Sequence, residues 1–71
     1  MISETKIYSD FIKRNKIVVS KDCFVYNIMI KPVVVLISKD DDGKWYADNE
    51  DKCYTKKAAI YWYLKNNTDL K

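Results

Sequence analysis

Lys57, Tyr61 and Lys65 stand four residues apart, with Trp62 beside them. On a helix, positions i, i+4 and i+8 share one side. One surface can therefore carry two ammonium groups, a phenol and an indole. Aromatic rings next to cations are the chemistry of protein-contact hot spots, and these four residues form the expected partner-binding surface. A second set, Lys13, Arg14, Lys16, Lys52, Lys56 and Lys57, could neutralise phosphates without reading bases. It defines the alternative expectation, sequence-independent nucleic-acid binding. Lys56 and Lys57 also follow Thr55 at a helix start, where free N–H groups and two ammonium groups could hold a phosphate or carboxylate. No Gly-rich loop precedes them, so no P-loop is present.

Other chemistries find less support. The chain has no histidine, which removes the commonest general base and the commonest metal ligand. Ser, Thr, Cys, Tyr and Lys are present as nucleophiles, but no base stands out to activate them. Cys23 and Cys53 are 30 positions apart, with no CxxC, and read as small packing residues inside strands and not as zinc ligands. The run Ser38-Lys39-Asp40-Asp41-Asp42-Gly43 has the look of a calcium loop. Counted from Ser38, however, the first ligand position has no carboxylate and the twelfth is Asn49 where a bidentate Glu belongs. It reads as a solvated hairpin turn. Asn66-Asn67-Thr68 matches a glycosylation sequon, which has no meaning without secretion. The expectation is a chain that is not an enzyme, with no metal, cofactor or small-molecule substrate.

The elements that must position these residues fit in one small domain spanning 1–71. Hydrophobic residues at 48% and charged residues at 32% are the balance of a folded protein. A domain this short buries only about 60% of its unfolded surface, so packing, aromatic mass or self-association must compensate. Two Trp, six Tyr and two Phe supply the aromatic mass. The N-terminus lacks a basic start followed by an apolar run, and Val33 to Ile37 is too short to span a membrane. A cytoplasmic location with reduced thiols and no membrane contact is expected. The net charge of +3 is unevenly spread, with acids crowded into residues 39–51 and bases into 52–71. That suits a partner of mixed charge at least as well as nucleic acid.

Apolar positions Ile7, Tyr8, Phe11 and Ile12 recur at helical spacing within residues 3–14, with Ser3 at the N-cap position and Lys13, Arg14 and Lys16 near the other end. The period then becomes two. Ile17 to Val19 and Cys23 to Ile30 read as strands, and Lys31-Pro32 as an interruption. Val33 to Ile37 is apolar on both faces, which predicts a central strand covered on both sides. Gly43 supplies a positive φ in a turn before a strand over Lys44 to Asp48. Asn49 to Asp51 is a second turn, and Lys52 to Tyr54 a short fifth strand. Thr55 caps a helix over Lys56 to Asn66, with Tyr54 stapled on Ala59. Asn67 to Lys71 is expected to fray. In that last helix Ala59, Ile60, Tyr63 and Leu64 face the sheet, while Ala58, Tyr61 and Trp62 point the other way, either packed under the N-terminal helix or offered to a partner. The predicted fold is α+β, a four- to five-stranded antiparallel meander with an N-terminal and a C-terminal helix (α-β-β-β-β-α).

Gly43-Lys44-Trp45 and Tyr54-Thr55-Lys56-Lys57-Ala58-Ala59 resemble the strand and helix openings of the three-stranded arm-type DNA-binding domains of tyrosine recombinases. The resemblance covers roughly residues 33–64. It departs at Asp48-Asn49-Glu50-Asp51, acidic where those domains carry basic strands, and what it implies is DNA binding. The bias toward Lys, Asn, Asp, Ile and Tyr resembles accessory proteins of bacteriophages and other mobile elements. The leading expectation is a non-enzymatic protein-interaction module, a small phage or mobile-element accessory protein that binds and modulates a macromolecular partner. That partner would be another protein or a second copy in a homodimer.

Overall fold

The structure, a computed structural model, describes residues 4–48 and 52–70. The elements follow in the order α1 (Glu4–Arg14), β1 (Val18–Val19), β2 (Cys23–Ile28), β3 (Lys31–Lys39), β4 (Trp45–Ala47) and α2 (Lys56–Asn67). The strands lie side by side in chain order as one antiparallel sheet. This is the α+β meander expected, with four strands. The expected fifth is reduced to a single bridge, Cys53 to Trp45, closed by two N–H···O bonds of 2.7 Å. Ser3 and the Asn49–Asp51 turn lie outside the described residues.

The apolar stripe of α1 buries Phe11 and half-buries Tyr8 and Ile12. The helix ends in a left-handed residue, Lys16, at φ 55°. The Lys16 N–H donates to the Lys13 carbonyl (3.2 Å) and the Ile17 N–H to the Ile12 carbonyl (3.0 Å). This is a Schellman ending with lysine where glycine is usual. It turns the chain sharply, so that Ile17 enters the core and β1 starts at the sheet edge.

The Ile37 N–H donates to the Asp22 carbonyl at 2.8 Å, which fixes the phase of the β2–β3 ladder. Antiparallel pairs alternate between bonded and non-bonded. Asn27 opposite Pro32 is therefore a non-bonded pair. Proline has no N–H to offer there, and β4 pairs only with Ile37–Lys39. Pro32 thus lies inside β3, where an interruption was expected, at a position that makes no demand for a donor.

The strand expected to run through Ile30 stops at Ile28, and Met29-Ile30 forms a two-residue hairpin loop. Both loop residues have positive φ, 49° and 63°, as a type I′ turn requires. Left-handed backbone costs an L-residue roughly 1–2 kcal/mol, and these two side chains recover little by packing, at 90% and 99% exposed. The paired change Met29→Asn, Ile30→Gly is expected to stabilise the domain by about 1–2 kcal/mol, after the extra chain entropy of glycine is deducted. Thermal unfolding should show a midpoint roughly 5–10 °C higher. An unchanged or lower midpoint would mean that the tip side chains hold contacts of their own.

Gly43 has the expected positive φ, 81°. Its N–H donates to Asp40 O (2.9 Å), and the Asp40 N–H donates to Lys44 O (2.7 Å), closing the β3–β4 hairpin.

One hydrophobic cluster holds the layers together. Phe24, Tyr26, Val35, Ile37 and Ala47 come from the sheet, and Phe11, Ile17, Ile60 and Leu64 from α1, α2 and the turn after α1. All five sheet residues lie on one face, so both helices cover that face. The expectation that β3 is covered on both sides is corrected here. β3 is internal in the sheet, yet Val34 and Leu36 are 61% and 70% exposed. Two short helices that pack on each other and share one core leave, among the described residues, no helix for the other face. The tail is also better held than expected, because Leu70 packs half-buried against the core.

Candidate functional site

Thr55 caps α2 as expected, its Oγ1 accepting from the Ala58 N–H at 3.1 Å. From that start, helical spacing turns Ala59, Ile60 and Leu64 into the core and lays Tyr63 edge-on against Phe24, with ring centres 5.8 Å apart. The neighbouring side of α2 meets α1. Tyr61 sits between Tyr8 and Phe11, at 4.9 Å from each ring centre. Ala58, one turn earlier, is buried too. Tyr54 is exposed and lies under the Lys44 ammonium at 5.1 Å, so it does not staple the helix on Ala59.

The four expected partner-binding residues divide accordingly. The Lys57 ammonium donates to Ser9 Oγ on α1 at 3.0 Å. Tyr61 is half-buried in the seam between the helices. Trp62 stands edge-on to Tyr61 at 5.1 Å and remains 47% exposed, and Lys65 is exposed beside it. Lys57 and Tyr61 thus bind the helices together, while Trp62 and Lys65 present a small outer surface.

The six basic residues also separate. Lys13, Arg14 and Lys16 are exposed at the end of α1. Lys52 pairs with Asp40, and that hydrogen-bonded ammonium holds the Asp40 carboxyl below its usual range while its own pKa is raised. Lys56 donates to the carbonyls of Ser20 and Lys21 and lies 5.5 Å from the Trp45 ring centre. Lys39 lies 5.4 Å from the same ring. Lys13, Lys56 and Lys57 meet along one groove floored by Ile12, Ile17 and Val19. The ammonium groups expected at the start of α2 are therefore turned to the protein's own carbonyls and hydroxyl. In the acidic turn Asp40 is likewise occupied, by Lys52 and by the Asp41 N–H (2.7 Å). Among the described residues no group of three or more metal-ligating side chains converges, and no helix is long and apolar enough to cross a membrane. Cys23 and Cys53 are half-buried and are not joined in a disulfide.

A second uncovered surface lies on the sheet. Val18, Val25 and Val34 are paired in register and form a row across β1, β2 and β3. Leu36 lies two residues along β3, opposite Cys23. Alternation places these five on the face away from the helices, and Val18, like Val34, is 61% exposed. Val25 and Val34 form a non-bonded pair, as do Cys23 and Leu36, and in such pairs the side chains approach most closely. The row is therefore continuous. Its signal was present in the sequence, as the second apolar parity of β3. None of the strand residues on this face is charged; Asn27, Ser38 and Tyr46 are its polar members.

No protein-family model matches the chain, and neither a curated protein nor a solved structure does.

Proposed function

We propose that the chain is a non-enzymatic interaction module whose contact surface is the open face of its sheet. The observation that carries this reading is the uncovered, uncharged row of Val18, Val34 and Leu36 on a sheet whose other face carries the core. A contiguous apolar patch rimmed by polar groups marks a site of macromolecular contact. Trp62 and Lys65 supply a smaller second surface on the helical side. The module acts by occupying a partner's surface, as an accessory protein does.

The test compares neighbours on β3. Val35→Lys buries an unpaired charge in the core and should abolish cooperative folding. Leu36→Lys, one residue on, should change monomer stability by about 0.5 kcal/mol or less, as surface substitutions do. It should also remove fluorescence of the dye anilinonaphthalene sulfonate from the wild-type face. A wild-type chain that binds no dye in dilute solution would argue against an open contact surface.

A second reading, nucleic-acid binding, is favoured by the convergence of Lys13, Lys56 and Lys57 on one groove. It predicts binding of short DNA at low salt that falls steeply as salt rises. An absence of binding at low salt would remove it.

A further inference from the structure

Resting on the reading of the open face as a contact surface, we infer that its occupant is a second copy of this chain, docked face to face across a two-fold axis. The complex is a four-layer sandwich, helices-sheet-sheet-helices. Three observations select this occupant.

The first is charge. The chain is 32% charged, yet Asp, Glu, Lys and Arg are absent from the open face of all four strands, and Lys31 and Lys39 fall on the opposite parity. A nucleic acid needs cations where it touches, and an acidic or basic peptide needs the opposite sign. A neutral apolar face is matched by another neutral apolar face, and the same face of a second copy is one. A two-fold contact brings identical patches together and needs no separate partner.

The second is shape. The molecule measures 35 × 31 × 20 Å, so its short dimension is that of two layers about 10 Å thick. Strands of two, six, nine and three residues, at about 3.3 Å per residue and about 4.8 Å apart, give a face on the order of 300 Å² in projection. Accessible surface follows each side chain and exceeds the projection. That is the size of the largest patch on an ordinary monomer, about 300–600 Å², and less than the roughly 800 Å² per partner of a standard complex, so the dimer is a weak one that forms in the upper micromolar range. Sheets pack face to face at about 10 Å with interdigitated side chains, and Val18, Val25, Val34 and Leu36 are of the types that do so.

The third is the blunting of the edges, the other route by which sheets associate. β1 is two residues long, and Cys53 covers the outer side of Trp45 on β4. Along the part of β3 that β4 does not reach, Pro32 removes a donor. Short edges, prolines and covering segments discourage edge pairing, whereas nothing comparable guards the face.

Sedimentation of the full chain between 1 and 100 µM tests the inference. A mass near twice the 8.4 kDa chain is expected in the upper part of that range. Because each substitution enters a two-fold contact twice, Leu36→Lys should weaken the dimer at least a hundredfold. Met29→Asn with Ile30→Gly should leave it unchanged. If Leu36→Lys does not fold, the wild-type chain still decides, since a dimer's thermal midpoint rises with concentration. A wild type that stays monomeric at 100 µM with a concentration-independent midpoint overturns the inference. So does a dimer that survives Leu36→Lys in folded form, or one lost in the hairpin-tip variant. A monomer that nevertheless binds the dye on the Leu36 face retains the broader reading and loses only the self-association. A monomer that binds no dye loses both.

Discussion

Phe24→Ala should remove about half of the domain's stability at 25 °C. Phe24 is fully buried on β2, with Tyr26 stacked at 6.1 Å and Tyr63 edge-on at 5.8 Å. It sits where the sheet meets α2, so neither can collapse into the space without moving the other. Truncating such a ring costs about 3–5 kcal/mol. A 71-residue domain has only on the order of 4–10 kcal/mol in total. With one core cluster spanning all layers, the described residues hold no second core to keep a partial structure. Circular dichroism and a denaturant titration check this. A cooperative transition with less than about 1 kcal/mol lost would mean that Phe24 is not the contact between sheet and helix described above.

Tyr61 and Trp62 should differ sharply, although they are adjacent and both aromatic. Tyr61 is held between Tyr8 and Phe11 and is the aromatic link between α1 and α2. Removing its ring opens that seam at a cost of about 2–3 kcal/mol, which lowers the thermal midpoint by roughly 10–20 °C. Trp62 touches Tyr61 with one edge and is 47% exposed, so Trp62→Ala should cost about 1 kcal/mol or less. Thermal melts of the two variants decide the matter. Equal losses would contradict the division of the α2 aromatic surface into a seam and an outer part.

The sequence carried much of this architecture in local signals. The helical spacing of Ala59, Ile60 and Leu64, the Thr55 cap and the Gly43 turn each rest on a few neighbouring residues, and each appears where local chemistry puts it. The failures share one cause: they turn on which elements meet in space. Ala58 and Tyr61 read as turned from the sheet, toward α1 or toward a partner, because residue spacing does not say where α1 lies. Val33 to Ile37 read as doubly covered because two apolar faces show that burial is wanted and not that it is supplied. Met29-Ile30 was missed as a hairpin because neither is a turn former. The ladder from Asp22 opposite Ile37 to Ile28 opposite Lys31 imposes the loop on them. Pro32 read as a strand end because the phase of that ladder, which excuses its missing donor, is a property of the paired strands. The candidate site followed the same pattern. The α2 residues were visible as a motif, and the open sheet face became visible only once both helices were seen on one side.

The central claim is that β3 has one dry face and one wet one. Its most direct measurement is the relaxation of methyl NMR signals by a soluble paramagnetic probe, at a concentration where the chain sediments as a monomer. Val34 and Leu36 methyl signals should broaden strongly, and those of Val35 and Ile37 should change little. Equal protection of all four would show that something in the chain covers both faces of β3, and the open contact surface would not exist.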